Sequence, residues 1–379
     1  MSDMKADKGR KRDVVIMAEL DWGGLYAQSH VMAKGFAKAG HRVFYMNRTL
    51  QRWPRLRHLT ARLFPKPSLG VVASEEKTPD NITVINLWVG PPLRWMRPLN
   101  RFMIKRKMRH YDIQDPILLT YVPTYNCIDL ADYVKPAVTS YVCYHNFDAD
   151  VVVPDLLKSE REIIKRYDLL FADSGFLIKR LERLSDGAKV YPSPPGVHFN
   201  LFQSAFRGDE STTRKKICFY GGAGVHLDWK TYNSLCDHYE VVFIAVISQE
   251  ARSMMDPRIR VLPPVPNHKL PDLLREMDVL TILYNRSDYI DGVIPAKFFE
   301  CIATGKPVLV SGLQEAKPYS DCVYDTLNSP ETAFEIISNL DKTHDLNRIN
   351  RQFEVGKSAD FDARFAFVKS LIDEKLTNL

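Results

Sequence analysis

The sequence predicts two doubly wound α/β domains, and three observations carry that expectation. With 379 residues, the chain exceeds what one ordinary hydrophobic core organises, so two domains are expected. Short apolar runs rich in β-branched residues alternate with helical segments in both halves, the pattern of parallel strands joined by helical crossovers. Hydrophobic residues make up 45% and charged residues 26%, the balance of a folded globular chain rather than a disordered or fibrous one.

The elements follow in order. Residues 13–18 form a buried strand, 19–26 a loop bearing Gly23 and Gly24, 31–38 a helix closed by Gly40, and 41–46 the next strand. Further strands fall at 82–87, 117–121, 138–144 and 169–174, the last preceded by a helix over 161–166. Residues 203–214 are polar and turn-rich, which places the first domain at 1–205 and the second at 206–355. In the second half, a strand at 217–222 ends in Gly221 and Gly222. Strands at 241–247, 259–262 and 278–284 accompany it, with a helix over 268–277. Residues 356–379 supply a terminal helix that crosses back to the first domain. In such sheets, ligands sit in the crevice beyond the carboxyl ends of the strands.

Residues 294–310 carry the most chemistry. Pro295 stands where a helix begins, its fixed φ and missing N–H suiting the first helical position. Gly305 stands where that helix ends. Between them, Lys297 and Glu300 are three apart and share one face. A cation, a carboxylate and the positive end of a helix dipole then converge, a set suited to phosphates and ribose hydroxyls.

The order P-x-K-x-x-E-x-x-A-x-G-K-P-V over residues 295–308 resembles the donor-site signature of nucleotide-sugar glycosyltransferases of the GT-B fold. The resemblance implies that Lys297 contacts the diphosphate and Glu300 the ribose. It implies a base-binding turn at 263–266 including Val265, and a glycine loop at Gly23 and Gly24 facing the leaving phosphate. Tyr284, at the end of the preceding strand, is a candidate for the diphosphate or the base. Two features depart from the retaining members of the family. Gly292 stands where they carry an acidic residue, and the segment 221–230 lacks their Arg and Lys in register. The phosphates are then left to Lys297 and backbone donors, with Lys230 a weak substitute. The departures favour the branch that resembles xanthan-type glucuronosyltransferases, which invert and rely on an aspartate of the first domain.

Inverting transfer needs a group that deprotonates the acceptor hydroxyl. The segment after the 138–144 strand offers Asp148 first, then Asp150 and His145. Asp148 and Asp150 also spell D-x-D, but no metal is expected. No Ser-His-Asp set, phosphate-binding Walker loop, HExxH or zinc spacing is present, and Trp22-Gly23-Gly24 does not make a dinucleotide fingerprint.

The net charge of +6 divides unevenly, +10 over residues 1–200 and −4 over the rest. Residues 47–66 hold six Lys and Arg, and residues 93–110 hold seven, both without an acid. In the second run the basic residues interleave with Trp95, Met96, Leu99, Phe102, Met103 and Ile104. That pattern suits a helix lying on an anionic bilayer surface. No nucleic-acid motif accompanies it. Six scattered cysteines and an N-terminus without an apolar core fit a cytoplasmic protein, peripheral on the inner face of the membrane. The expected activity is transfer of a sugar from a nucleotide diphosphate, UDP first, to a lipid-linked or membrane-proximal glycan, without cofactor. An epimerase of the same fold and a non-catalytic nucleotide-sugar binder are the alternatives.

Overall fold

The computed structural model describes residues 11–23, 27–47, 78–87, 89–149, 155–207 and 215–378. Gly24, Asp150 and residues 48–66 therefore lie outside the described residues. Two parallel sheets organise the molecule. The first holds β1 (Val14–Met17), β2 (Val43–Met46), β3 (Ile82–Ile85), β4 (Ile117–Thr120), β5 (Val138–Cys143), β6 (Leu169–Ala172) and β7 (Val190–Pro192), in the order β3-β2-β1-β4-β5-β6-β7. The second holds β8 (Lys216–Ala223), β9 (Glu240–Ile247), β10 (Arg260–Leu262), β11 (Val279–Leu283), β12 (Val308–Ser311) and β13 (Tyr324–Asp325), in the order β10-β9-β8-β11-β12-β13. Every pairing in both sheets is parallel. The order reverses between β1 and β4 and again between β8 and β11, the two places where such a sheet opens a crevice.

The second crevice has a specific cause. β8 pairs with β9 along its whole length, from Lys216↔Glu240 to Ala223↔Ile247. With β11 it pairs only at Ile217 and Cys218. Beyond Cys218 the two strands part, and side chains take over the hydrogen bonding. Thr281 Oγ1 donates to the Cys218 carbonyl at 2.9 Å, and Tyr232 OH donates to Thr281 at 3.1 Å.

Two links join the sheets. The helix Phe361–Thr377 crosses back onto the first core, where Val368 and Ile372 are buried and Phe365 meets Phe36 edge-on at 5.1 Å. Gly35 makes that approach possible, since a Cβ there would lie 2.4 Å from the Phe365 ring. The second link is a clasp at the start of the helix Gly175–Leu184. Gly175 N and Phe176 N donate to the two Glu315 carboxylate oxygens at 2.7 and 2.9 Å, and Ser174 Oγ donates to the Gly292 carbonyl at 3.0 Å. A carboxylate on exposed helix N–H groups is favoured by both hydrogen bonding and the helix dipole. Glu315→Ala is expected to remove about 1–2 kcal/mol from this contact, lowering the thermal midpoint, with Glu315→Gln falling between the two.

Candidate functional site

The helix predicted to begin at Pro295 begins two residues later, at Lys297, and runs to Ala303. Phe298 N donates to the Pro295 carbonyl at 2.8 Å, so the proline starts a turn that leads into the helix, with Ala296 as its cap. The far end is as expected, with Gly305 at φ +68 just past the last turn. Phe298, Phe299, Cys301, Ile302 and Ala303 are buried, which leaves Lys297 and Glu300 on the face toward β8.

There the two side chains meet Tyr220. Lys297 Nζ donates to the Tyr220 carbonyl at 2.6 Å and lies 4.0 Å from the centre of the Phe219 ring. Tyr220 OH donates to Glu300 Oε2 at 3.1 Å, and Asn267 hydrogen-bonds the same carboxyl. The Tyr220 carbonyl needs a donor because β8 has already parted from β11. Gly221 makes room for it: its φ is +109, and a Cβ there would lie 2.8 Å from Lys297 Nζ. Gly222, beside it, is exposed, and a Cβ there would meet nothing within 4 Å.

Burial works against both charges. It lowers the Lys297 ammonium to about 8, against the opposing pull of Cys301 and Glu300. It raises the Glu300 carboxyl to about 7, although Tyr220 and Lys297 pull the other way. One hydrogen bond to Tyr220 engages a single N–H of the three on Lys297. An arriving anion is the partner that such a partly desolvated ammonium favours.

The neighbouring residues frame the same crevice. Tyr284 follows β11 and is buried; its ring meets His226 at 5.2 Å, and its carbonyl accepts from Asn328 Nδ2 at 2.7 Å. Asn328 also reaches Ser311 Oγ and Asp228, tying β11, β12 and the loop after β8 together. Val265 packs against the second core, two residues before Asn267. Lys230 is exposed on the helix Trp229–Leu235, and its charge acts on Glu331.

On the first domain, Gly23 is exposed, with nothing within 4 Å of a Cβ placed on it. Asp148 lies in the turn after β5, where Arg180 grips it with Nε at 2.7 Å and Nη2 at 3.1 Å. Buried Glu160 holds the same guanidinium from the other side at 2.6 Å. The Arg180 bonds keep the Asp148 carboxyl below its usual range. His145 stands edge-on to Phe147 at 5.1 Å. Among the described residues, no hydrogen bond or ion pair joins Asp148 to Lys297, Glu300 or Tyr220. Tyr220, Asn267, His226 and Asn328 escaped the reading of the sequence. The only signal was at His226, inside the 221–230 segment that departs from the family pattern.

Comparison with known proteins agrees with this fold. No family model matches the chain. Over 231 residues it is 26% identical to TuaH of Bacillus subtilis strain 168, named for glycosyl transfer in teichuronic acid biosynthesis. That alignment takes in 51% of this chain and 57% of the relative, so the chain spans little more than half the relative's length. A Rickettsia africae glycosyltransferase structure superposes with a TM-score of 0.72 at 12% identity, covering 98% of this chain and all of that one. An Escherichia coli trehalose-6-phosphate protein bound with UDP-2-fluoroglucose gives 0.64 at 11% identity, over 97% and 99%. Anabaena HepE in complex with UDP gives 0.59 at 12% identity, over 97% and 100%. The fold is GT-B, with two parallel-sheet Rossmann-like domains.

Two titrations fix the expected pH response. A hydroxyl-binding role for Glu300 would need its ionised form, present above about 7, and a phosphate-binding role for Lys297 its protonated form, present below about 8. UDP affinity is therefore expected to peak between those values, as measured by calorimetry across pH. Glu300→Gln should remove the acid limb. Lys297→Ala should remove the alkaline limb and cost about 1.5–3 kcal/mol of binding.

Proposed function

We propose that the chain is a nucleotide-sugar glycosyltransferase of cell-surface polysaccharide synthesis. The observation that carries this reading is the meeting of Lys297 and Glu300 on Tyr220, beneath Gly221, at the crevice where β8 and β11 part. In this reading Lys297 holds the diphosphate, Glu300 the ribose, and the turn around Val265 the base. The glycosyltransferase name of the Bacillus relative and the UDP-bound neighbours support it. UDP is the expected nucleotide, no cofactor is assigned, and the metal-independent, inverting course is the one we favour.

The acceptor side falls to the first domain. Asp148 is the proposed base, oriented by Arg180. Its pairing keeps it ionised but weakens its hold on a proton, which gives Asp150 and His145 standing as alternatives. Asp148→Asn is expected to abolish sugar transfer while leaving UDP affinity unchanged. Full activity in that variant would move the base to His145 or Asp150.

The acceptor we propose is lipid-linked or membrane-proximal, met at the inner face of the cytoplasmic membrane. The support lies in the short 3-10 turn at Arg94–Met96 and the helix Arg97–Met108. Trp95 is 75% exposed, Leu99 53% and Phe102 63%, and their spacing of four and three residues puts them on one face. Exposed Arg94, Lys105, Arg106 and Lys107 flank them. The opposite face is fixed by buried Asn100, Ile104 and Met108. Arg97 turns inward onto Asp129, and Arg101, its side chain half exposed, pairs with the same carboxylate. No helix among the described residues is long and apolar enough to cross a membrane.

Two experiments test the proposal. Thermal shifts against UDP-, GDP-, dTDP- and CDP-sugars should show one nucleotide class that stabilises the chain, with the shift lost in Lys297→Ala. Absence of any shift would remove the donor reading. Replacing Trp95, Leu99 and Phe102 by serine should weaken binding to phosphatidylglycerol-rich vesicles at least about tenfold. Unchanged binding would reduce this face to ordinary surface.

A further inference from the structure

The loop after β8 carries a histidine that neither the family signature nor the reaction scheme above employs. His226 is half-buried. Its ring stands edge-on to Tyr284 at 5.2 Å, with 71° between the planes, and its backbone carbonyl accepts from Asn285 N at 2.8 Å. Leu227 bridges Tyr284 antiparallel, so the histidine is held at the mouth of the β8–β11 crevice from two sides. Gly224 lies close beside it, where a Cβ would be 2.9 Å from His226 Nδ1. Among the described residues, neither ring nitrogen has a hydrogen-bond partner. Burial first, and the nearby Lys297 charge second, hold the ring below its usual pKa. The side chain that feels Lys297 is therefore a neutral N–H donor.

We propose that His226 donates a hydrogen bond to the phosphoryl oxygens of the nucleoside diphosphate held by Lys297. This inference rests on the donor reading above and adds a residue to it. A neutral imidazole suits the neighbourhood of the Lys297 charge, where a second permanent cation would meet repulsion. Once the diphosphate is bound, its negative charge lies between the two donors and strengthens both bonds. Tyr284 then acts behind the site as the wall that orients the ring, and Asn328 holds Tyr284 in turn.

The test is UDP binding by the full chain, measured by calorimetry on the wild type and four variants. His226→Ala is expected to weaken UDP about tenfold. His226→Phe keeps a ring against Tyr284 but removes the N–H, so it should be as weak as His226→Ala. His226→Gln, which retains a donor, should recover part of the affinity. Lys297→Ala reports on the donor site independently. If His226→Ala or His226→Phe binds UDP as the wild type does while Lys297→Ala does not, the assignment of His226 is overturned and the donor site stands. A wild-type chain that binds no UDP overturns both. Thermal midpoints within a degree or so of wild type in the Phe and Gln variants exclude a loss of folding as the cause.

Discussion

The crevice of the second sheet follows from the early parting of β8 and β11. Their ladder ends at Cys218, so the Tyr220 carbonyl faces the crevice without a strand partner. A buried carbonyl without a donor costs on the order of 1–3 kcal/mol. Lys297 supplies the donor, and only a glycine at 221 leaves space for the ammonium to arrive. The helix Lys297–Ala303 is therefore placed by a defect in the sheet as much as by its own apolar face. The same defect desolvates Lys297 and Glu300, and desolvation is what tunes them toward neutrality. Structure and chemistry here share one cause.

The crevice is then made rigid from outside. Gly356 in the helix Leu346–Ser358 lies so close that a Cβ would be 3.0 Å from Ala303 Cα, pressing the Lys297 helix onto the sheet. Gln352 satisfies the carbonyls of Lys306 and Cys322, and Lys306 caps Met277 with a buried ammonium. Asn328 fixes the ends of β11 and β12, in a loop where Leu327 and Asn328 both take left-handed backbone angles. Such consecutive non-glycine strain persists only where its surroundings enforce it. On the opposite wall, Ser174, Gly175 and Phe176 hold Gly292 and Glu315. The loop that leads into the Lys297 helix is thus gripped by both domains, which couples the crevice to the interdomain contact.

Much of this was legible in the sequence because it depends on local periodicity. The alternation of strands and helices, the Pro-to-Gly bracket around 295–305 and the shared face of Lys297 and Glu300 are all short-range signals. The exact helix start was not, because Pro295 suits a turn before the helix as well as its first residue. Tyr220, Asn267, His226 and Asn328 join the site from distant segments, and no spacing rule connects them. Asp148 illustrates the same limit: its sequence neighbours give no sign of Arg180, 32 residues away, which binds it on two atoms. For residues 93–110, composition displayed the amphipathic character. Only the folded structure shows that Arg97 and Arg101 both pair with Asp129.

The most direct measurement is a crystal structure of the chain with UDP. The account predicts the diphosphate in the β8–β11 crevice, with Lys297 Nζ turned from the Tyr220 carbonyl toward a phosphoryl oxygen and Glu300 on the ribose. UDP bound elsewhere, or bound there with Lys297 still on Tyr220 and no contact to phosphate, would contradict it.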